Sequence, residues 1–433
     1  LSRSHHFLFN NSRFLPCFLS DDLYSSPNLP SFTGGSRKVR TLGPTGDDHF
    51  LELAVENPNE QSASHTATPV KRRFSALVIF VIVAIAALVV VGIYIAPRYF
   101  IDEQRPKEYP RLQLGGTSTI FVIVENRWKG KYRDEKGVEV GYESTGSTTG
   151  VSRLIDGTYA IAFTHGPLSP EQRDKAREKG GDVVHVPILL CGVAPIYNVK
   201  ELKGKPPLKL SGKALADIFL GNIKTWDDPA LKLLNPGVEL PPTKITVVHR
   251  EDSSGTTQIF TEYLDAVSAG AWREKAGAPA SEAKWPVGVA APRNLGVATR
   301  VSQTEGAIGY VDRMFTSYNE MALDYAAIEN KDKTAYVRAE PENMTAAATA
   351  ILADIPDDLG FHLTNRPGKE AYPISGVIYA VCYQKQPDEK RKQVIDFLHW
   401  ATHEGQPHAA KMTFAPLPPE LVKRIDQKLE TIK

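Results

Sequence analysis

The sequence predicts an α/β fold of more than one compact lobe, preceded by a single apolar helix. Three observations carry this. From about Leu112 onward, short apolar strands alternate with amphipathic helices, the pattern of layered α/β proteins with mostly parallel strand pairing. The chain has 433 residues, 42% hydrophobic and 23% charged, enough to bury a large core. The run FSALVIFVIVAIAALVVVGIYIA, Phe74 to Ala96, carries no charge and has about the length of a membrane-crossing helix.

Lys71, Arg72 and Arg73 stand directly before that run, so the positive-inside rule keeps residues 1–70 in the cytoplasm and places everything after Pro97 outside. A cleaved secretory signal is the competing reading. Such signals have apolar cores of roughly 7–15 residues, shorter than this one, and no small-x-small cleavage site follows here. The segment 74–96 is therefore expected to be an uncleaved single-pass anchor in the cytoplasmic membrane, with 97–111 as a linker. Residues 1–70 are rich in Ser, Asn, Pro and Gly without sustained periodicity, which predicts disorder. The first methionine is Met314, so residue 1 is not assumed to be the natural start.

A formal net charge of +1 gives no general attraction to nucleic acid or acidic membrane. The three cysteines, Cys17, Cys191 and Cys382, form no CxxC pair, which excludes zinc ribbons and thioredoxin-like motifs. Cys191 and Cys382 sit in apolar strand-like runs and are expected as buried thiols. A disulfide between them is the alternative in an oxidising compartment.

Along the chain, TSTIFVIVENRWKGKYRDEKG reads as a turn and a helix with Ile120, Val124, Trp128 and Tyr132 on one face. VEVGYESTGSTTG is a strand entering a loop, SRLIDG a short helix, and YAIAFTH a strand entering another loop. DVVHVPILLCGVAPIYNV is long and apolar, as suits a central strand or a crossing between lobes. KALADIFLG and WDDPALKLL are short capped helices, and KITVVHR is a strand. PISGVIYAVCYQK is a late strand, and KRKQVIDFLHWATHEGQPHAAK a long amphipathic helix.

Three strand ends share one chemistry: TSTIF, STGSTTG and REDSSGTT. Each offers small hydroxyls, and glycine in the last two lets backbone N–H groups approach a ligand. Ligands of open α/β sheets sit at strand carboxyl ends, and helix N-termini there favour anions. The set suits a compact, many-oxygen anion such as phosphate or sulfate. Arg250 would supply the full positive charge, and Asp252 would hold its fork or accept a proton from the ligand. The plainer alternative has Asp252 or Ser253 capping a helix and STGSTTG forming an ordinary turn.

The stretches LADIFLGNIKTWDDPALKLLNPG, KITVVHREDSSGTTQIFTEYL, KWPVG, EGAIGYVD, LTNRPGKEAYPI and TFAPLPPELV stand in this order. With them the chain resembles the periplasmic phosphate-binding proteins of phosphate-specific ABC transporters over nearly all of residues 112–425. The resemblance implies a two-lobed periplasmic-binding-protein fold (type II-like) with the ligand in the cleft. Lobe 1 would comprise 112–192 plus 372–433 and lobe 2 193–371, with crossings near Gly192 and Tyr372. It also implies phosphate contacts from Ser118, Thr119 and Ile120, from Ser147, and from Arg250, Asp252, Ser254, Gly255 and Thr256. Delivery to an ABC permease with its ATPase subunit, no cofactor and a monomeric state follow in the same way.

One position departs from the family. Where its members carry an aspartate that accepts the proton of monohydrogen phosphate, this chain has His165. Three readings stay open: a neutral ring that accepts, a cation that donates near its reference pKa of about 6.5, or a side chain turned away. Among rival functions, a phosphoester hydrolase would need an activated nucleophile or metals, and Ser254 lacks a GxSxG setting. No HExxH and no GxxxxGK[ST] occurs. His399 and His403, four apart, are expected as surface or packing histidines rather than metal ligands. A membrane-tethered phosphate sensor is the other alternative, as is a receptor for another tetrahedral oxyanion.

Overall fold

A computed structural model describes residues 76–94, 109–317 and 321–433, with side chains from 76 to 90 in the first stretch. The expected disordered segment and most of the linker lie outside the described residues. The chain divides into two units, 1–98 and 99–433.

In the first unit, helix α1 (Ala76–Tyr94) is apolar along its 19 residues. Among the described residues, no helix is long and apolar enough to cross a membrane. The membrane-anchor expectation therefore gains nothing from the structure.

In the second unit, one nine-stranded sheet runs through both lobes. Its strands are β1 (Arg111–Gly116), β2 (Glu139–Ser144), β3 (Ile161–Thr164), β4 (Val183–Asn198), β5 (Thr246–Arg250), β6 (Val289–Ala291), β7 (Ala307–Asp312), β8 (Asp324–Tyr325) and β9 (Ser375–Tyr383). The order is β2-β1-β3-β9-β4-β7-β5-β6, with β8 pairing β4. The outer pairs are parallel, β1 with β2 and β3, and β5 with β6 and β7. The middle is antiparallel, which corrects the expectation of mostly parallel pairing: β9 pairs β3 and β4, and β4 pairs β7.

Strand β4 is what joins the two halves. Its first part, Val183 to Gly192, pairs with β9, and its second part, Val193 to Asn198, pairs with β7. All but its end residues are buried, as a strand covered on both faces must be. Cys191 and Cys382 lie in this buried region as free thiols.

Behind β1 the chain forms one continuous helical stretch: α2 (Ser118–Ile123), a π-helical turn at Val124–Trp128, and α3 (Lys129–Lys136). Ile120, Val124, Trp128 and Tyr132 are all fully buried, as their spacing predicts. Trp128 donates to the Gly405 carbonyl at 3.0 Å and meets Phe397 and Trp400 edge-on, with ring centroids 6.3 and 5.8 Å away. Phe397 and Trp400 belong to helix α9 (Asp388–Thr402), numbered after α4 (Ser147–Ile155), α5 (Pro170–Lys179), α6 (Gly212–Phe219), α7 (Gly255–Val267) and α8 (Arg293–Gln303). The last helix is α10 (Pro419–Leu429). The sequence reading ran α9 on to Lys411, but it stops at His403, whose φ of −118° and ψ of −89° leave the helical region.

Truncation of Trp128 would remove a buried indole, its hydrogen bond and two aromatic contacts. Trp128→Ala is expected to lower unfolding stability by about 3–5 kcal/mol, read as a lower urea midpoint. An unchanged midpoint would show that this helix does not anchor the first loop.

Candidate functional site

The carboxyl ends of β1, β2 and β5 each run through a short polar turn into a helix, α2, α4 and α7 respectively. Those turns line a single cleft with a volume of ≈ 220 Å³. The scale suits a small anion rather than a large organic ligand.

The first turn is held by contacts that leave it little freedom. Tyr142 donates to the Thr117 carbonyl at 2.7 Å, and the Thr117 N–H donates to the Phe163 carbonyl at 3.0 Å. Gly116 has φ +131°, and a Cβ there would stand 2.2 Å from the Phe163 carbonyl oxygen. Only glycine fits both the conformation and the space. The second turn is tied to the first, since the Gly146 N–H donates to the Gly116 carbonyl at 2.8 Å.

The third turn carries the charge. The Arg250 side chain is 2% exposed and faces Asp252, with Nε 2.8 Å from Oδ1 and Nη2 bonded to Oδ2. The Arg293 backbone N–H adds a third bond to Asp252 Oδ1 at 2.8 Å. Burial of Asp252 opposes its ionisation, but the Arg250 bonds and charge together with this N–H outweigh it and hold the carboxyl below its ordinary value. Asp252 is therefore an acceptor-only carboxylate at neutral pH.

Several polar atoms around this cleft are buried without any hydrogen-bond partner: Arg250 Nη1, Thr119 Oγ1, Thr145 Oγ1 and Ser147 Oγ. Each costs free energy if nothing satisfies it. One comes from the first turn, two from the second and one from the third. Together they form the complement of an oxyanion.

The sequence-derived residues fall into groups. Ser118, Ser147, Arg250, Asp252, Ser254 and Gly255 line the cleft. Thr119 is fully buried beside them with its orphaned hydroxyl, and Ile120 is fully buried in the core, so only its backbone can face a ligand. Capping also occurs, though not at the residues the plainer reading named. Ser254 Oγ accepts from the Thr256 N–H at 3.2 Å and Thr117 Oγ1 from the Thr119 N–H at 3.3 Å. The capping residue of α7 is thus Ser254, not Asp252 or Ser253.

His165 does not line the cleft. It lines an adjoining recess with Thr164, Gln258, Glu262 and His362, which meets the cleft at Ser147 and Gly255. Its imidazole packs so closely on Gly255 that a Cβ there would stand 2.1 Å from Nδ1. Both ring nitrogens are buried without partners. Burial, and next the nearby Arg250 charge, push its pKa down to about 3, so the ring is neutral at physiological pH. This argues against the cationic reading of His165. Behind it lie Cys191 and Asp312, with one ligand atom of each of the three within 4.8 Å of the others. Burial raises the Asp312 carboxyl to about 7, opposed by the Met314 N–H and by Arg313.

Arg293 lines the cleft and was missed by the sequence reading. Its φ of +56° is unusual for a non-glycine residue, so the fold accepts local backbone strain where a second arginine meets the cleft. Nothing in APRNLGVATR marks that residue, because its relation to Asp252 spans 41 positions.

Comparison with known proteins places this geometry. A model of the PBP superfamily domain matches residues 102–404. The phosphate-binding protein PstS of Xylella fastidiosa is 36% identical over 313 residues, covering 72% of this chain and 82% of its own. PstS of Haemophilus influenzae is 35% identical over 320 residues, covering 73% of this chain and 92% of its own. Among solved structures, a high-affinity periplasmic phosphate-binding protein with phosphate bound superposes with a TM-score of 0.57 at 21% identity, covering 73% of this chain and 93% of that one. The phosphate-binding protein of Stenotrophomonas maltophilia gives 0.56 at 19% identity, with coverage of 73% and 93%. These two likenesses establish the two-lobed periplasmic-binding-protein fold.

Two outcomes test the site. Arg293→Gly keeps the backbone N–H to Asp252 and relieves the left-handed strain. It should hold or raise Tm while weakening oxyanion affinity about five- to tenfold and flattening its salt dependence. An unchanged affinity would remove Arg293 from the site. The second concerns pH. Folding lowers the His165 pKa from 6.5 to about 3, so its contribution is complete above 6.5 and is lost as pH falls toward 3. Folding raises Asp312 from 3.8 to about 7, so its contribution is complete below 3.8 and is lost as pH rises through 7. The two oppose each other. Asp312→Asn leaves the His165 effect alone, and Tm should climb more steeply between pH 4 and 6.5 than in the native chain. Equal slopes would contradict these assignments.

Proposed function

The chain belongs to the phosphate-binding proteins of the PBP superfamily, and from that premise we propose that its three-turn cleft captures inorganic phosphate and presents it to an ABC permease and its ATPase. It binds phosphate for uptake. The observation that carries the reading of the site is the set of unpaired buried donors around the Arg250–Asp252 pair.

In this reading Arg250 Nη1, Thr119 Oγ1 and Ser147 Oγ donate to phosphate oxygens, with N–H groups at the starts of α4 and α7 completing the shell. Ser118, Ile120, Ser254, Gly255 and Thr256 contribute through hydroxyl or backbone. Because Asp252 already neutralises Arg250, dipoles and hydroxyls carry most of the hold on the dianion, with Arg293 adding charge at the cleft. The ionised Asp252 can accept only from an anion that still carries a proton. Monohydrogen phosphate has one, and sulfate has none, so sulfate would bring an oxygen against the carboxylate. His165, neutral and beyond Gly255, can act as a second acceptor if a lobe movement brings the two compartments together.

The lobes would be 112–192 with 372–433, and 193–371, hinged where β4 changes partners. All three turns come from one chain, which suits a monomeric receptor. Ser254 Oγ serves as a helix cap, which supports binding rather than nucleophilic turnover.

We further propose that the apolar run Phe74–Ala96 tethers the binding domain outside the cytoplasmic membrane. That proposal rests on the uncharged run and on Lys71–Arg73 before it. Resistance of the native chain to alkaline extraction from membranes supports the tether, and release into the soluble fraction would sink it.

Calorimetric titration of the full chain with phosphate and sulfate at pH 5.5 and pH 8 tests the ligand. Phosphate binding with sulfate ignored at both pH values is expected. Asp252→Asn should then narrow the gap, because an amide can donate to a sulfate oxygen where a carboxylate cannot. Equal binding of both anions by the native chain would contradict the role given to Asp252.

A further inference from the structure

We propose that His399, His403 and Asp426 form a surface site for a borderline divalent transition metal of the zinc or nickel class, joining the end of α9 to α10. The residues lie on the far side of the sequence from the phosphate turns, and nothing in the binding reading uses them.

The two histidines are four residues apart at the C-terminal end of α9, and so share one face of the helix. Their rings stack 4.0 Å apart at an interplanar angle of 7°. Asp426, on α10, brings Oδ2 to 3.5 Å from His403 Nε2. One ligand atom from each of the three lies within 4.8 Å of the other two. A tetrahedral ion with bonds of about 2.0–2.1 Å needs ligand atoms roughly 3.3–3.5 Å apart. The required contraction is at most about 1.5 Å, which a turn of the exposed His399 ring can supply.

The surroundings favour a cation on three separate grounds. His403 Nδ1 lies 2.9 Å from the His399 carbonyl oxygen, so Nδ1–H donates there and Nε2 keeps its lone pair, as in metal-ligating histidines. Asp426 Oδ1 is buried with no hydrogen-bond partner, so the carboxylate has unused acceptor capacity. The site also sits at the C-terminal end of a 15-residue helix, whose dipole attracts positive charge. Two imidazoles and one carboxylate suit zinc, nickel or copper(II) better than calcium or magnesium. HWATHEG lacks the glutamate that zinc proteases place between their histidines, so the site binds metal without hydrolytic chemistry.

The competing arrangement is a simple His403–Asp426 ion pair, in which His399 has no part. Zinc titration of the full chain against a chromogenic chelator distinguishes them, with Tm followed in parallel and cobalt(II) absorbance as the probe of geometry. The native chain should bind one zinc at this site and gain about 3 °C in Tm at saturating metal. His399→Ala and His403→Ala should each weaken that zinc at least about tenfold and abolish the Tm gain, and Asp426→Asn should weaken it about tenfold. Phosphate affinity should stay unchanged in His399→Ala, which shows the fold intact and separates this proposal from the phosphate reading. Zinc affinity equal in the native chain and in His399→Ala would place any bound metal elsewhere and overturn the proposal. Absence of saturable binding would overturn it too.

Discussion

A guanidinium buried to 2% exposure at the mouth of a cleft is the constraint on which the site is built. Alone it would be costly, because a desolvated charge must be paired and hydrogen-bonded. Asp252, two residues on, supplies the pairing, and the Arg293 N–H completes that carboxylate. Tyr310 holds the start of the motif, accepting from the Arg250 N–H at 3.3 Å and sharing a hydrogen bond with Thr257 at 2.7 Å. Phe260 stacks on Tyr310 at 4.3 Å and fixes the ring. The result is a fork with two nitrogens committed and one, Nη1, left for a ligand.

Where the two sheet halves meet matters as much as the fork. β4 carries both pairing partners, so the first two turns and the third are held on opposite sides of one continuous strand. Small dihedral changes near Gly192 and Val193 would move one set of donors toward the other, which is how hinge closure works in two-lobed receptors. Neutral His165 stands at the boundary, packed on Gly255 with no partner for either nitrogen. Beside it, burial likewise opposes ionisation of the Asp312 carboxyl. The replacement of the family aspartate thus leaves Asp252 as the ionised acceptor in the cleft.

Much of this was legible in the sequence because it is local. The helical face of Ile120, Val124, Trp128 and Tyr132 follows from a spacing of four, and the long apolar run of β4 from burial on both faces. The hydroxyl-rich turns were visible as composition at strand ends. What escaped depends on distant contacts. Antiparallel pairing of β9 is fixed by a strand that returns from nearly two hundred residues away, and Arg293 by a backbone bond to Asp252. His165 looked like a ligand by alignment of motifs, yet the position of α7 puts Gly255 between it and the cleft. The end of α9 at His403 was legible in Gly405 and Pro407, which follow it, and the sequence reading passed over them.

A crystal structure of the chain grown with phosphate is the most direct test of the central claim. The account predicts a tetrahedral anion between the three turns, with Arg250 Nη1, Thr119 Oγ1 and Ser147 Oγ within about 3 Å of its oxygens and Asp252 receiving its proton. Phosphate bound in the recess of His165 and His362 instead, with Arg250 Nη1 still unpaired, would contradict it.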